Sequence, residues 1–189
     1  KKAYVRVGSK DSLIIKRALD IGADGITVAM IKNIDDTKKS IESIYYPPVG
    51  KRGVGLFRAQ GYGFNFEKYR DVRSKEIILI AQIEHIDAIN NLREIIEVDA
   101  IDGTFIGPYD LSGSIGKPGN YDDPEVKKAL KTYESISSSY NKLIGFHSVP
   151  VDHKLVNDKI SSGYNFIAFS FDAFFLGSSI RKNLNKIIN

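Results

Sequence analysis

The chain has no cysteine, which excludes a disulfide framework, a thiolate metal site and a cysteine nucleophile. It has only three histidines, His85, His147 and His153, so oxygen rather than imidazole is the expected donor to any metal. No apolar run approaches the roughly 18 residues that would suggest a bilayer span. The 27 lysines and arginines are interspersed with 23 aspartates and glutamates, giving a net charge of +4 without a block of five basic residues. A nucleic-acid surface would show clustered cations with interleaved aromatics. Neither nucleic acid nor a membrane is therefore an expected partner, and a cytoplasmic location is expected. G-x-G-x-x-G after a strand and G-x-x-x-x-G-K-[ST] are also missing, so dinucleotide and P-loop sites lack their fingerprints.

What is present reads as one α/β domain over residues 1–189. Six short segments rich in β-branched or aromatic residues are predicted strands: Ala3–Val7, Gly25–Ala29, Ile77–Glu84, Ala100–Gly107, Leu143–Val149 and Phe166–Asp172. Several are almost continuously apolar, as parallel strands covered on both faces are. Helical periodicity follows at Asp11–Ile21, Asp35–Ile44, Ile86–Ile96, Asp123 to about Tyr140, Asp152–Ser162 and Phe174–Ile188. Strand–helix alternation repeated six times predicts a parallel sheet. Polar residues gather at strand C-terminal ends, where a (β/α)8 barrel carries its chemistry. Such barrels have eight units in about 250 residues, so six of eight are expected here. The two missing units are expected upstream of Lys1, since a strand already begins at residue 3.

Glu84 and Asp110 stand at the ends of successive predicted strands, close enough in a barrel to share one cation. Two carboxylates completed by water suit magnesium or manganese, although strand-end acids more often serve as caps or ion-pair partners. Arg6 at another strand end could clamp an oxyanion with its planar fork or pair with Glu84. The segment Ile106–Ser112 reads as a Gly-Pro turn whose backbone could cradle a carboxylate.

The strings VRVGSKDSLIIKRALDIGADGITVAM, YPPVGKRGVG, RAQGYG, AQIEHIDAINNLREI, VDAIDGTFIGPYDLSGSIGKPGN and IAFSFDAFFL resemble consecutive blocks of the HpcH/HpaI aldolase family. These are metal-dependent class II aldolases of 4-hydroxy-2-oxo acids that release pyruvate and an aldehyde. The resemblance implies a (β/α)8 barrel, a homo-oligomer (usually a hexamer), and magnesium or manganese as cofactor, with cobalt a further candidate. It implies Glu84 and Asp110 as metal ligands, Arg6 as the enolate-stabilising arginine, and Asp20 as the acid that pairs with a catalytic histidine. That histidine belongs to a unit upstream of Lys1. Gln82 and the turn at Gly107, Pro108 and Tyr109 are implied in the pyruvate pocket. Arg58 could reach a distal carboxylate, and His147, at a strand tip, could face the substrate. His85 is expected to enter the following helix and His153 to be exposed. Two other readings stand beside the aldolase: an acyl-CoA lyase of the citrate-lyase beta branch, and an inactive barrel or assembly subunit without the base.

Overall fold

The structure is a computed structural model and describes residues 1–188. Strands β1 (Tyr4–Val7), β2 (Gly25–Val28), β3 (Ile78–Ile83), β4 (Gly103–Ile106), β5 (Leu143–Ser148) and β6 (Phe166–Phe169) form one sheet in chain order. Every neighbouring pair is parallel. The helices are α1 (Ser12–Ile21), α2 (Ile34–Ile44), α3 (Phe66–Asp71), α4 (Ile86–Asn90), α5 (Leu92–Ile96), α6 (Pro108–Ser114), α7 (Pro124–Ser137), α8 (His153–Ser161) and α9 (Asp172–Ile188). The single helix expected over Ile86–Ile96 is thus two, because Asn91 leaves helical geometry at φ −101°, ψ 11°. Among the described residues no helix is long and apolar enough to cross a membrane.

Local chemistry explains the elements. Asp11 caps α1 by accepting from the backbone N–H of Leu13 at 2.8 Å and of Ile14 at 3.1 Å, satisfying donors that the first turn cannot. Gly22 ends the helix with φ 118°, the left-handed conformation that favours glycine. Between them Ile15 and Leu19 are fully buried, each stabilising by about 1.5–3 kcal/mol. Alternation along the strands then sorts two faces. Val7, Val28, Ile83, Ile106 and Phe146 join the core under the helices, so Arg6, Thr27, Gln82, Phe105 and His147 lie on the other face.

That second face is concave. Six strands laid flat would hold their edges about 24 Å apart at the usual spacing. Yet Tyr4 of β1 and Phe166 of β6 meet with ring centroids 5.4 Å apart. The sheet is curled, and Phe105, 5.8 Å from Phe166, fills its interior. Gly145 makes this possible, since a Cβ there would collide with the Phe105 ring. The expected architecture, six βα units of a (β/α)8-type barrel, is the one observed.

Candidate active site

The C-terminal strand ends bring eight of the ten expected residues together: Arg6, Gln82, Glu84, Gly107, Pro108, Tyr109, Asp110 and His147. Glu84 directly follows β3, and its side chain is only 2% exposed. Its Oε1 accepts from the Met30 backbone N–H at 2.9 Å, and Arg6 Nη2 stands 3.9 Å from it. Its Oε2 is buried with no hydrogen-bond partner, a costly state for a carboxylate oxygen. Burial pushes the Glu84 carboxyl above its usual range, and the charge of Asp110 pushes the same way. The Met30 N–H and Arg6 oppose them. Met30 itself has φ 55°. A non-glycine residue in that conformation is strained, and such strain collects at functional sites. Here it aims the N–H that holds Glu84. Lys10 secures the same peptide by donating to the Met30 carbonyl at 3.0 Å.

Gln82, two residues earlier on the same face, accepts from Arg6 Nε at 2.8 Å. Arg6 is level with Thr27 and Ile80 in the strand register, one inward position short of Gln82, and its length spans the step. Gln82 also lines a cavity of about 490 Å³ with Phe105, Gly107, Tyr109, Asp110 and His147, within the size range of small-molecule sites. Gly107 keeps it open: a Cβ there would lie 3.0 Å from Glu84 Oε2.

The expected Gly-Pro turn is instead a helix start. Gly107 is the N-cap of α6, Pro108 opens its first turn and Asp110 lies in that turn. Asp110 is exposed, yet its charge reaches Glu84. Among the described residues no group of three or more His, Cys, Asp or Glu gathers to hold a metal. The two carboxylates, one with an orphaned buried oxygen, nevertheless form a donor set that fits a hard divalent cation completed by water or substrate oxygens.

Two expected residues are not brought to this site within one chain. Asp20 is the penultimate residue of α1, which runs against the strands, so it lies towards the end of the sheet where β2 begins. There Arg52, whose side chain is fully buried, donates to it at 2.7 Å, and Gln60 at 3.1 Å. Burial raises the Asp20 carboxyl, but Lys16, Arg52 and Gln60 together outweigh it and hold the pKa below its usual value. The Arg52 guanidinium also lies over the rings of Tyr46 and Tyr69, at 4.8 and 5.4 Å. Arg58 opens the 3₁₀ turn Arg58–Gly63. Its neighbour Ala59 lines a cleft with Ala23, Asp24 and Ile77, again at the strand N-terminal ends. His85 caps α4, its Nδ1 accepting from the Asp87 N–H at 3.1 Å. His153 is exposed, as expected.

The curled parallel sheet with acids at its C-terminal tips defines the class: six units of a (β/α)8-type barrel with an acidic, cavity-bearing top. The sequence matches the HpcH/HpaI aldolase/citrate lyase family over residues 1–178, and the chain belongs to that family. It is 35% identical over 179 residues to 2-keto-3-deoxy-L-rhamnonate aldolase of Escherichia coli O157:H7. That alignment covers 94% of this chain and 65% of the relative, so the chain spans just under two thirds of the curated relatives' length. An HpcH/HpaI aldolase/citrate lyase family protein from Burkholderia cenocepacia J2315 superposes with a TM-score of 0.90 at 26% identity. The match covers 98% of this chain and 73% of that one. An HpcH/HpaI aldolase from Desulfitobacterium hafniense DCB-2 gives 0.85 at 25% identity, over 98% and 72% respectively.

Proposed function

We propose that the protein is a metal-dependent aldolase cleaving a 4-hydroxy-2-oxo acid to pyruvate and an aldehyde. The observation that carries this reading is the buried, partnerless Oε2 of Glu84 at the strand tips, beside Arg6 and within reach of the charge on Asp110. The aldolase names of relatives at 35% identity support it. Glu84 and Asp110 would hold magnesium or manganese, which when bound supplies Lewis acidity towards the 2-oxo group.

The chain's own groups account for the rest. Arg6 is a fixed cation at the strand tips, oriented through Nε by Gln82. It stabilises the charge that grows on the C2 oxygen as the C3–C4 electron pair moves into the enolate and the 4-hydroxyl proton leaves to a base. Because Gln82 Oε1 is occupied by Arg6, its amide N–H groups remain to donate to substrate oxygen. The first turn of α6, whose N–H groups have no partners within the helix, receives the substrate carboxylate near Gly107 and Tyr109. Pro108 suits that position because it removes a donor the helix start does not use. We also assign the exposed apolar loop that includes Val54, Leu56, Phe57 and Phe64, the last 95% exposed, to contact between copies in a homo-oligomer.

The test is pyruvate release from racemic 4-hydroxy-2-oxopentanoate by the intact protein. Release that appears with manganese and stops with a chelator supports the reading; no release under either condition removes it.

A further inference from the structure

One cation at the strand tips has no part in the chemistry above. Lys10 belongs to the loop between β1 and α1, and its side chain is partly buried. Its Nζ donates to the Met30 carbonyl at 3.0 Å and stands 3.2 Å from Asp36 Oδ1. Asp36, in the first turn of α2, is itself tied down. Its Oδ2 accepts from the Lys32 N–H at 3.0 Å, and its own N–H donates to the Asn33 side chain at 2.9 Å. The ammonium is therefore anchored at the start of α2 and aimed at one carbonyl.

That carbonyl belongs to the residue that holds Glu84. Met30 lies where the chain passes from one neighbouring strand to the other: the Ala29 N–H donates to the Val7 carbonyl of β1 at 3.1 Å, and the Ile31 N–H to the Gln82 carbonyl of β3 at 3.3 Å. Met30 makes the crossing with φ 55°, a state that persists in a non-glycine residue only where its surroundings over-determine it. Its N–H is committed to Glu84 Oε1 and its carbonyl to Lys10. These two groups flank one Cα, so holding both fixes φ and ψ of Met30 together. Without Lys10, Met30 is free to relax to negative φ, and that rotation turns its N–H away from Glu84. The carboxylate then loses the bond that sets its orientation. With the bond made, Oε2 faces the start of α6, where a Cβ on Gly107 would lie 3.0 Å from it.

Resting on the metal-dependent reading, we propose that Lys10 is a positioning residue that sets metal affinity through Met30, by keeping Glu84 turned with its free oxygen towards the start of α6. The carboxylate is then oriented before any cation binds. The test is the manganese dissociation constant of the intact protein, measured by calorimetry, together with unfolding of the metal-free protein followed by circular dichroism. Lys10→Met keeps the length of the side chain and removes its donor. It should bind manganese about tenfold more weakly, the lower end of what losing a partner of a metal ligand costs. Lys10→Arg, which keeps a charged donor, should recover most of that loss. Metal-free unfolding of Lys10→Met should stay close to that of the parent, because a part-exposed ion pair contributes little and the relaxation of Met30 relieves strain. Unchanged manganese affinity in Lys10→Met, equal weakening in Lys10→Met and Lys10→Arg, or a Lys10→Met chain that does not fold without metal overturns the proposal alone. A parent that binds no manganese overturns the metal-dependent reading and this proposal with it.

Discussion

If Glu84 is a metal ligand, replacing it with glutamine should separate metal binding from folding. Glutamine keeps the shape and the oxygen that accepts from Met30, but it removes the charge. In the metal-free protein the carboxylate is buried at 2% exposure with one oxygen unpaired. That state costs about 1–3 kcal/mol, so Glu84→Gln should unfold no earlier than the parent. Adding manganese at a hundred times its dissociation constant stabilises the parent by about 2.7 kcal/mol. For a chain of this size each kcal/mol moves Tm by roughly 2–4 °C, so the parent should rise by about 5–11 °C. Glu84→Gln should rise by less than about 2 °C, having lost the buried charged donor. Thermal unfolding followed by circular dichroism, with and without manganese, reads both numbers. An equal rise in parent and variant would refute the assignment, because the metal would then be held elsewhere.

Further expectations follow from the same geometry. If Arg6 answers charge present mainly in the transition state, Arg6→Ala should lower kcat far more than it weakens pyruvate binding; equal losses would assign it to simple substrate binding. Arg52→Ala leaves Asp20 buried without its guanidinium partner, a change that typically costs 3–5 kcal/mol. Lys16 and Gln60 still bond to Asp20, so denaturant unfolding should show a loss near the lower end, about 3 kcal/mol. A loss below about 1 kcal/mol would mean the pair contributes little. Asp20 also predicts an acid limit. Its lowered pKa gives stability that is complete above the unfolded-state value of about 3.9 and lost as pH falls through the folded value. Below about pH 4 the parent should therefore lose stability faster than Asp20→Asn; parallel losses would contradict the assignment.

Much of this architecture is legible in the sequence, for identifiable reasons. Parallel strands covered on both faces read as apolar runs, so all six strands fall within their expected segments. Alternation by two puts Gln82 and Glu84 on one face, and both do face the site. Other features depend on what periodicity does not carry. Gly107-Pro108 suits a turn and a helix start equally, and α6 forms because the chain leaving β4 continues into helical geometry. The long connection through Arg52 and Arg58 gives no sign of which end of the sheet it covers. The buried Arg52–Asp20 contact and the cleft that Ala59 shares with Asp24 and Ile77 place it at the strand N-terminal ends. The left-handed backbones of Met30 and Ser170 are likewise silent, because neither residue type ordinarily signals that conformation. The first of them nonetheless fixes the partner of Glu84.

The central claim, enolate chemistry at a metal held by Glu84, is tested most directly without any aldehyde. Pyruvate incubated with the protein in deuterium oxide should exchange its methyl protons, followed by proton NMR. The account predicts exchange that requires manganese or magnesium, stops with a chelator and is lost in Glu84→Gln. Exchange indifferent to the chelator and to Glu84, or no exchange with the metal present, would contradict it.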